Sequence, residues 1–176
     1  MILDVGCGTE LRGDVGIDLF EGKCFEDIKK LKQFKKHENF VKGDALNLPF
    51  RSGIFEKTVS FQLIEHIDNP VKLIKEMARV GKKIMVVTPN ATWIGKVFRS
   101  LRSGKYKPYS GHIFTWGVPE FENLFRYCGI KDTKVIYFEG DPKFHNKYWI
   151  YNIIEKFVPN ILKYISIGIE GSSYIY

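Results

Sequence analysis

Apolar residues along this chain alternate between short continuous runs and helical spacings, a pattern that predicts βαβ units on a mainly parallel sheet. Met1–Val5 reads as a strand, apolar except for Asp4, and Asp14–Ile17 reads as a short second strand. Glu26–Lys36 has the spacing of a helix, with Ile28, Leu31 and Phe34 on one face and lysines on a solvated one. Phe40–Lys42 and Lys57–Phe61 read as third and fourth strands. Asn69-Pro70 supplies a capping residue and a first-turn proline for a helix that runs through Val71, Ile74 and Met77 and stops near Gly81. Lys83–Val87 is the fifth apolar run. Pro119–Tyr127 reads as a helix whose Phe121, Leu124, Phe125 and Cys128 share a face, with Gly129 closing it; Lys134–Phe138 follows as a sixth strand. Asp141–Tyr176 is rich in aromatic residues and is expected to hold a helix near Tyr148–Phe157.

With 176 residues and 44% hydrophobic content, the chain is long and apolar enough to bury the core of a single α/β domain over 1–176. It has no internal repeat and no apolar stretch of the roughly 18 residues that a spanning helix needs. The opening MILDVGCGTE lacks the basic flank and apolar run of a secretory signal. Cys7, Cys24 and Cys128 form no CxxC pair, which excludes a disulfide framework and a zinc ribbon and points to a reduced, cytoplasmic compartment.

The net charge of +7 is unevenly distributed. Met77–Pro119 holds no Asp or Glu but eight of the 27 basic residues, so the rest of the chain carries 19 basic against 20 acidic residues. A basic segment inside a neutral domain implies either a local anionic partner or a solvated face.

Ligands of open α/β sheets bind beyond the carboxyl ends of the strands. After the first strand comes Asp4-Val5-Gly6-Cys7-Gly8, a turn that lets backbone approach a ligand closely. The dinucleotide fingerprint would need a third glycine where Leu11 stands, and an acid later than Asp18. Asp4, Asp18 and Asp44 follow one another at the ends of the first three strands. Three carboxylates there repel a pyrophosphate and suit a ligand with a ribose diol, an exocyclic amine and a positive centre. S-adenosylmethionine combines these features. A nicotinamide-dependent oxidoreductase is accordingly the last of the alternatives.

ILDVGCGTE, VGIDLFE, VKGDALNLPF and FEKTVSFQLIEHIDNP, with the later KIMVVTPN and GHIFTWGVPEFENLFRYCGI, resemble the class I S-adenosylmethionine-dependent methyltransferases, in the small-molecule type 11 branch that includes the ubiquinone-pathway enzymes. The resemblance spans about residues 1–138 and implies a Rossmann-like, mostly parallel seven-stranded sheet with one antiparallel edge strand. It implies that Gly6 and Gly8 lie under the methionine part of the cofactor and that Asp4 holds its ammonium. Asp18 and Leu19 would take the ribose and adenine edge, Asp44 and Ala45 the adenine, and Phe61 would line the methyl group. The family carries helical residues ahead of the first strand, whereas Met1 is already on it; the aromatic tail is the candidate cover. Thr9–Asp14 is too short for the usual crossover helix, so a tight loop is expected.

A methyl acceptor that must lose a proton needs a base, and His66 and His112 are the candidates, each against a structural role. Ubiquinone-type relatives place an acid three residues before Glu-His in what looks like a metal site. Gln62 stands there, so no metal is expected. Ser60-Phe61-Gln62-Leu63 differs from the Asn/Asp-Pro-Pro-aromatic pattern of adenine and amide methyltransferases, which favours an oxygen or carbon of a small or lipid-linked acceptor; the basic stretch would suit an anionic one. Residues 1–90 then form the cofactor half, 91–118 a basic lid, and 119–176 the substrate side. Ala91–Arg102 sets Ile94, Val97, Phe98 and Leu101 against Lys96, Arg99 and Arg102, the pattern of a lid or of peripheral membrane contact through 91–107. The competing functions are an RNA methyltransferase using the basic stretch on phosphates, though no appended RNA module is recognisable, and a non-catalytic binding protein of the same fold. Oligomeric state is not legible. Replacing Arg99 and Arg102 with Glu is expected to weaken acceptor use while leaving calorimetric cofactor affinity intact; parallel loss of both would remove the lid assignment.

Overall fold

The computed structural model describes residues 1–8, 10–19, 39–91, 111–139, 156 and 164–172. The expected helices at Glu26–Lys36 and Tyr148–Phe157, the basic helix 91–102 and the aromatic tail beyond 172 lie essentially outside the described residues. A seven-stranded sheet organises the rest: β1 (Ile2–Val5), β2 (Val15–Asp18), β3 (Phe40–Lys42), β4 (Phe55–Phe61), β5 (Gly81–Pro89), β6 (Lys131–Glu139) and β7 (Tyr164–Ser172). Their spatial order is β3-β2-β1-β4-β5-β7-β6. The first five are parallel; β7 runs antiparallel to both β5 and β6. The reversed strand expected at the sheet's edge is thus β7, one place in, with β6 outermost.

The chain reverses order after β3, so β1 sits between β2 and β4 and its carboxyl end opens at the switch point of the sheet. Registers of Val5 with Ile17 and of Ile17 with Val41 bring the ends of β1, β2 and β3 level. The β1–β2 link has no room for a helix, and its described residues form none. It is held by backbone instead: Gly6 N–H donates to Ile17 O at 2.8 Å and Asp14 N–H donates to Ile2 O at 2.9 Å.

Helix α1 (Pro70–Val80) begins where the capping signal predicts, with the Asn69 side chain accepting from Lys72 N–H at 3.0 Å. Leu73, Ile74, Met77 and Val80 recur at three- and four-residue spacing and are all buried against the sheet. Gly81 then opens β5 with no loop. A Cβ at Gly81 would lie 2.7 Å from Thr58 Cγ2 on β4, so only glycine lets helix and strand meet this closely. Helix α2 (Val118–Tyr127) buries Phe121, Leu124 and Phe125 as its spacing predicts. Strand β7 has no counterpart among the expected elements. Buried Ile167 and Ile169 alternate on it, but Gly168 and Gly171 dilute the apolar signal. Lys57 on β4 reaches past β5 to Glu170 on β7 at 2.8 Å, fastening the antiparallel part to the parallel one.

Part of the acid-free stretch has a structural use. Arg79 on α1 donates to Glu76 at 2.8 Å, to Phe50 O at 2.8 Å and to Leu48 O at 2.8 Å, while Glu76 accepts from Leu48 N–H at 2.8 Å. The guanidinium holds the Glu76 carboxyl below its usual range. The pair thereby pins the loop after β3 to α1. Lys82 pairs with Glu56 at 2.6 Å. Arg79→Met should remove the two carbonyl contacts and cost about 1–3 kcal/mol, read as an earlier urea midpoint with unchanged slope. An unshifted midpoint would mean that the network adds nothing to the fold.

Candidate functional site

Two groups of polar residues gather beyond the carboxyl ends of the central strands. The first is built on the turn after β1. Gly6 has φ +72°, a left-handed conformation, and a Cβ there would also strike the Leu63 side chain at 2.7 Å. The turn therefore needs glycine on both counts. Gly8, at φ +52°, donates its N–H to Asp18 Oδ2 at 2.8 Å. Asp4, on β1 between buried Leu3 and Val5, is itself fully buried. Its Oδ2 accepts from Arg12 N–H at 2.7 Å, while its Oδ1 is buried with no hydrogen-bond partner among the described residues.

Burial raises the Asp4 pKa above the ordinary carboxylate value, against the lowering effect of the Arg12 hydrogen bond and charge, and the Asp18 charge adds to the rise. The same causes, burial first and then Asp18 and Asp4, push the Cys7 thiol up to about 12, so Cys7 is a neutral core group and no nucleophile. Asp4 and Asp18 are thus brought within electrostatic reach of each other. Asp44 opens the loop after β3, just beyond Gly43, whose N–H donates to Asp18 O at 3.1 Å. Its carboxylate is used locally, accepting from Leu46 N–H at 2.8 Å and Asn47 Nδ2 at 2.8 Å. Ala45 packs against the core, and Leu19, next to Asp18, is half exposed. Phe61 ends β4 with the Arg12 guanidinium 4.9 Å above its ring.

The second group follows β4. Gln62 takes φ +55°, which turns the chain sharply into a 3₁₀ turn, Ile64–His66. That turn carries Glu65, 1% exposed, whose Oε2 accepts from the Thr88 hydroxyl at 3.1 Å and whose Oε1 is buried with no partner among the described residues. Desolvation raises its pKa. The Glu65 carbonyl accepts from Ile113 N–H at 2.8 Å and Phe114 N–H at 3.1 Å, drawing in the segment that carries His112. The His66 and His112 rings meet edge to face with centroids 4.7 Å apart, and His66 Nδ1 lies 2.9 Å from Gly111 O. One donor atom each of Glu65, His66 and His112 lie within 4.8 Å of one another. A carboxylate with two imidazoles can handle a proton or hold a divalent cation. The expectation of no metal weighed Gln62 alone; the fold adds His112, far away in sequence, to the Glu-His pair. Glu65 itself was not among the expected site residues, although its adjacency to His66 just past a strand end was a usable signal.

A profile of the methyltransferase domain family matches residues 3–84, from β1 into β5. Norajmaline N-methyltransferase of Rauvolfia serpentina is 33% identical over 93 residues, 46% of this chain and 32% of that protein. Demethylmenaquinone methyltransferase of Bacillus cereus is 28% identical over 169 residues, 76% of this chain and 70% of that protein. Among solved structures, an S-adenosylmethionine-dependent methyltransferase from Archaeoglobus fulgidus superposes with a TM-score of 0.66 at 18% identity, covering 97% of this chain and 85% of that one. Residues 3–84 thus resemble the methyltransferase domain family, and the chain shares the fold of S-adenosylmethionine-dependent methyltransferases of known structure. It spans only about a third of the length of the Rauvolfia relative. The matched segment contains the glycine turn and the Glu65 turn together, and no helix among the described residues is long and apolar enough to cross a membrane.

The raised pKa of Asp4 fixes a sign. The neutral acid suits its buried place, so its contribution to stability is full below the unfolded value and is lost as pH rises through the higher folded value. Asp4→Asn should therefore gain thermal stability relative to the native protein as pH rises above the ordinary carboxylate range, read as a growing difference in melting temperature. A difference in melting temperature that stays constant with pH would mean that Asp4 does not titrate in this window.

Proposed function

We propose that this domain is an S-adenosylmethionine-dependent methyltransferase that methylates an oxygen or carbon of a small or lipid-linked acceptor. The observation that carries the reading is the buried Asp4 carboxylate, one oxygen without a partner among the described residues, beside a glycine turn at the switch point of the sheet. An ammonium group would complete that oxygen's hydrogen bonding and relieve the cost of burying the charge. In this reading Gly6 and Gly8 underlie the methionine part. Asp18, with Leu19 beside it, takes the ribose and adenine edge, Asp44 and Ala45 meet the adenine, and Phe61 faces the methyl group. Residues 1–90 act as the cofactor half, 91–118 as a basic lid toward an anionic acceptor or membrane surface, and 119–176 as the substrate side.

The bound cofactor supplies a methyl group already activated on a sulfonium. The protein's own task is alignment, with Phe61 and the turn after it bounding the acceptor's approach. His66, its Nδ1 directed at Gly111 O, and the neighbouring His112 are the groups to take an acceptor proton, with the raised-pKa Glu65 beside them. A second reading, transfer to an amine nitrogen, is favoured by the named activity of the Rauvolfia relative and by a buried carboxylate that could receive a protonated amine.

Calorimetric titration with S-adenosylmethionine and its demethylated product tests the first step. Both should bind, and Asp18→Ala and Asp44→Ala should each weaken binding about 10- to 100-fold, the loss of a charged hydrogen-bond acceptor. Absence of heat with both ligands would overturn the assignment, in favour of a non-catalytic member of the fold; salt-sensitive binding to RNA would favour the nucleic-acid alternative.

A further inference from the structure

We propose that Arg12 is the residue that holds the α-carboxylate of the cofactor's amino-acid part, in exchange for its present partner Glu10. The inference rests on the reading above and adds a binding residue that the strand-end acids cannot supply. Asp4, Asp18 and Asp44 offer only negative charge to a ligand whose amino-acid end carries an ammonium and a carboxylate. The carboxylate needs a cation, and Arg12 is the only basic residue between β1 and β2.

Position supports the choice at both ends of the residue. The Arg12 N–H donates to Asp4 Oδ2 at 2.7 Å, so its backbone is fixed against the same carboxylate whose other oxygen has no partner among the described residues. Its side chain crosses from the β1–β2 loop to the end of β4, where the guanidinium carbon lies 4.9 Å from the Phe61 ring centroid. The residue thus links Asp4, through its backbone N–H, to Phe61, through its guanidinium. A planar fork of donors matches a carboxylate in two-point geometry, which a lysine would not.

The present occupant of that fork is itself a carboxylate. Arg12 Nη2 meets Glu10 Oε2 at 2.6 Å and Nη1 lies 3.5 Å from Glu10 O. Both side chains are well exposed, 42% and 73%, and an exposed pair of this kind holds weakly. A ligand carboxylate can replace Glu10 like for like. The short β1–β2 link gives a reason for the arrangement. A helix starting after the glycine turn would offer an anion its free N–H groups and the positive end of its dipole. The described residues of this link form no helix, and the Arg12 side chain provides the missing positive end.

The test compares S-adenosylhomocysteine with 5′-methylthioadenosine, which keeps the adenine, ribose and thioether but lacks the amino-acid part. Calorimetry is run on the full chain, native and as Arg12→Ala, Arg12→Lys and Glu10→Gln. Arg12→Ala should weaken S-adenosylhomocysteine about 10- to 100-fold and leave 5′-methylthioadenosine within about twofold, with Arg12→Lys in between. Glu10→Gln, which removes the competitor's charge, should tighten S-adenosylhomocysteine a few-fold and leave 5′-methylthioadenosine unchanged. Equal losses for both ligands in Arg12→Ala, no loss for either, or no tightening in Glu10→Gln would overturn the role of Arg12. Failure of the native chain to bind either nucleoside would instead overturn the cofactor reading itself.

Discussion

A carboxyl group inside a parallel sheet is costly, and Asp4 is the constraint around which the candidate site is arranged. Leu3 and Val5 on either side are core residues, so the strand cannot turn Asp4 to solvent without exposing them. Leaving a buried oxygen unpartnered costs about 1–3 kcal/mol. The short link to β2 meets half of the demand through Arg12 N–H and leaves the other oxygen open. A fold optimised for stability alone would have an apolar residue there. In the reading proposed above, the acid is kept for a positively charged group that arrives from outside.

Glu65 repeats the arrangement at the next strand end. One oxygen is satisfied by Thr88, the other is buried with no partner among the described residues, and the backbone around it draws in His112. Phe61 ends β4, the strand paired with the β1 that carries Asp4, and the turn that carries Glu65 follows it. Behind them, Arg79 and Glu76 tie the loop carrying Asp44 to α1, so the third acid is carried on a segment fixed by interactions away from any ligand.

Local signals carried much of this into the sequence. The Gly6-Cys7-Gly8 turn, the strand-end acids, the Asn69-Pro70 cap and the Phe121–Phe125 face each depend on residues a few positions apart, and each is found where its pattern puts it. Strand ends were less legible: β5 starts at Gly81 because Thr58 on another strand lies against it, a fact no window around Gly81 contains. Strand β7 was hidden because two of its residues are glycines that add no apolar signal while two isoleucines carry the packing. The meeting of Glu65 and His66 with His112, the reach of Arg12 to Phe61 and the ties of Arg79 to Leu48 and Phe50 are all tertiary, and residue type alone could not foretell them.

The placement of β7 between β5 and β6 makes the last seams of the sheet long-range ones. Strand β6 is made earlier than β7 yet pairs with no described strand except β7, while β7 must pair with β5, which ends some seventy residues before it. The five parallel strands can therefore gather first, leaving the flank of β5 as an unpaired row of amide groups until the distant segment arrives. Closing so long a loop is an entropic cost that such a topology imposes. In that interval the exposed strand flank is the place where self-association would begin.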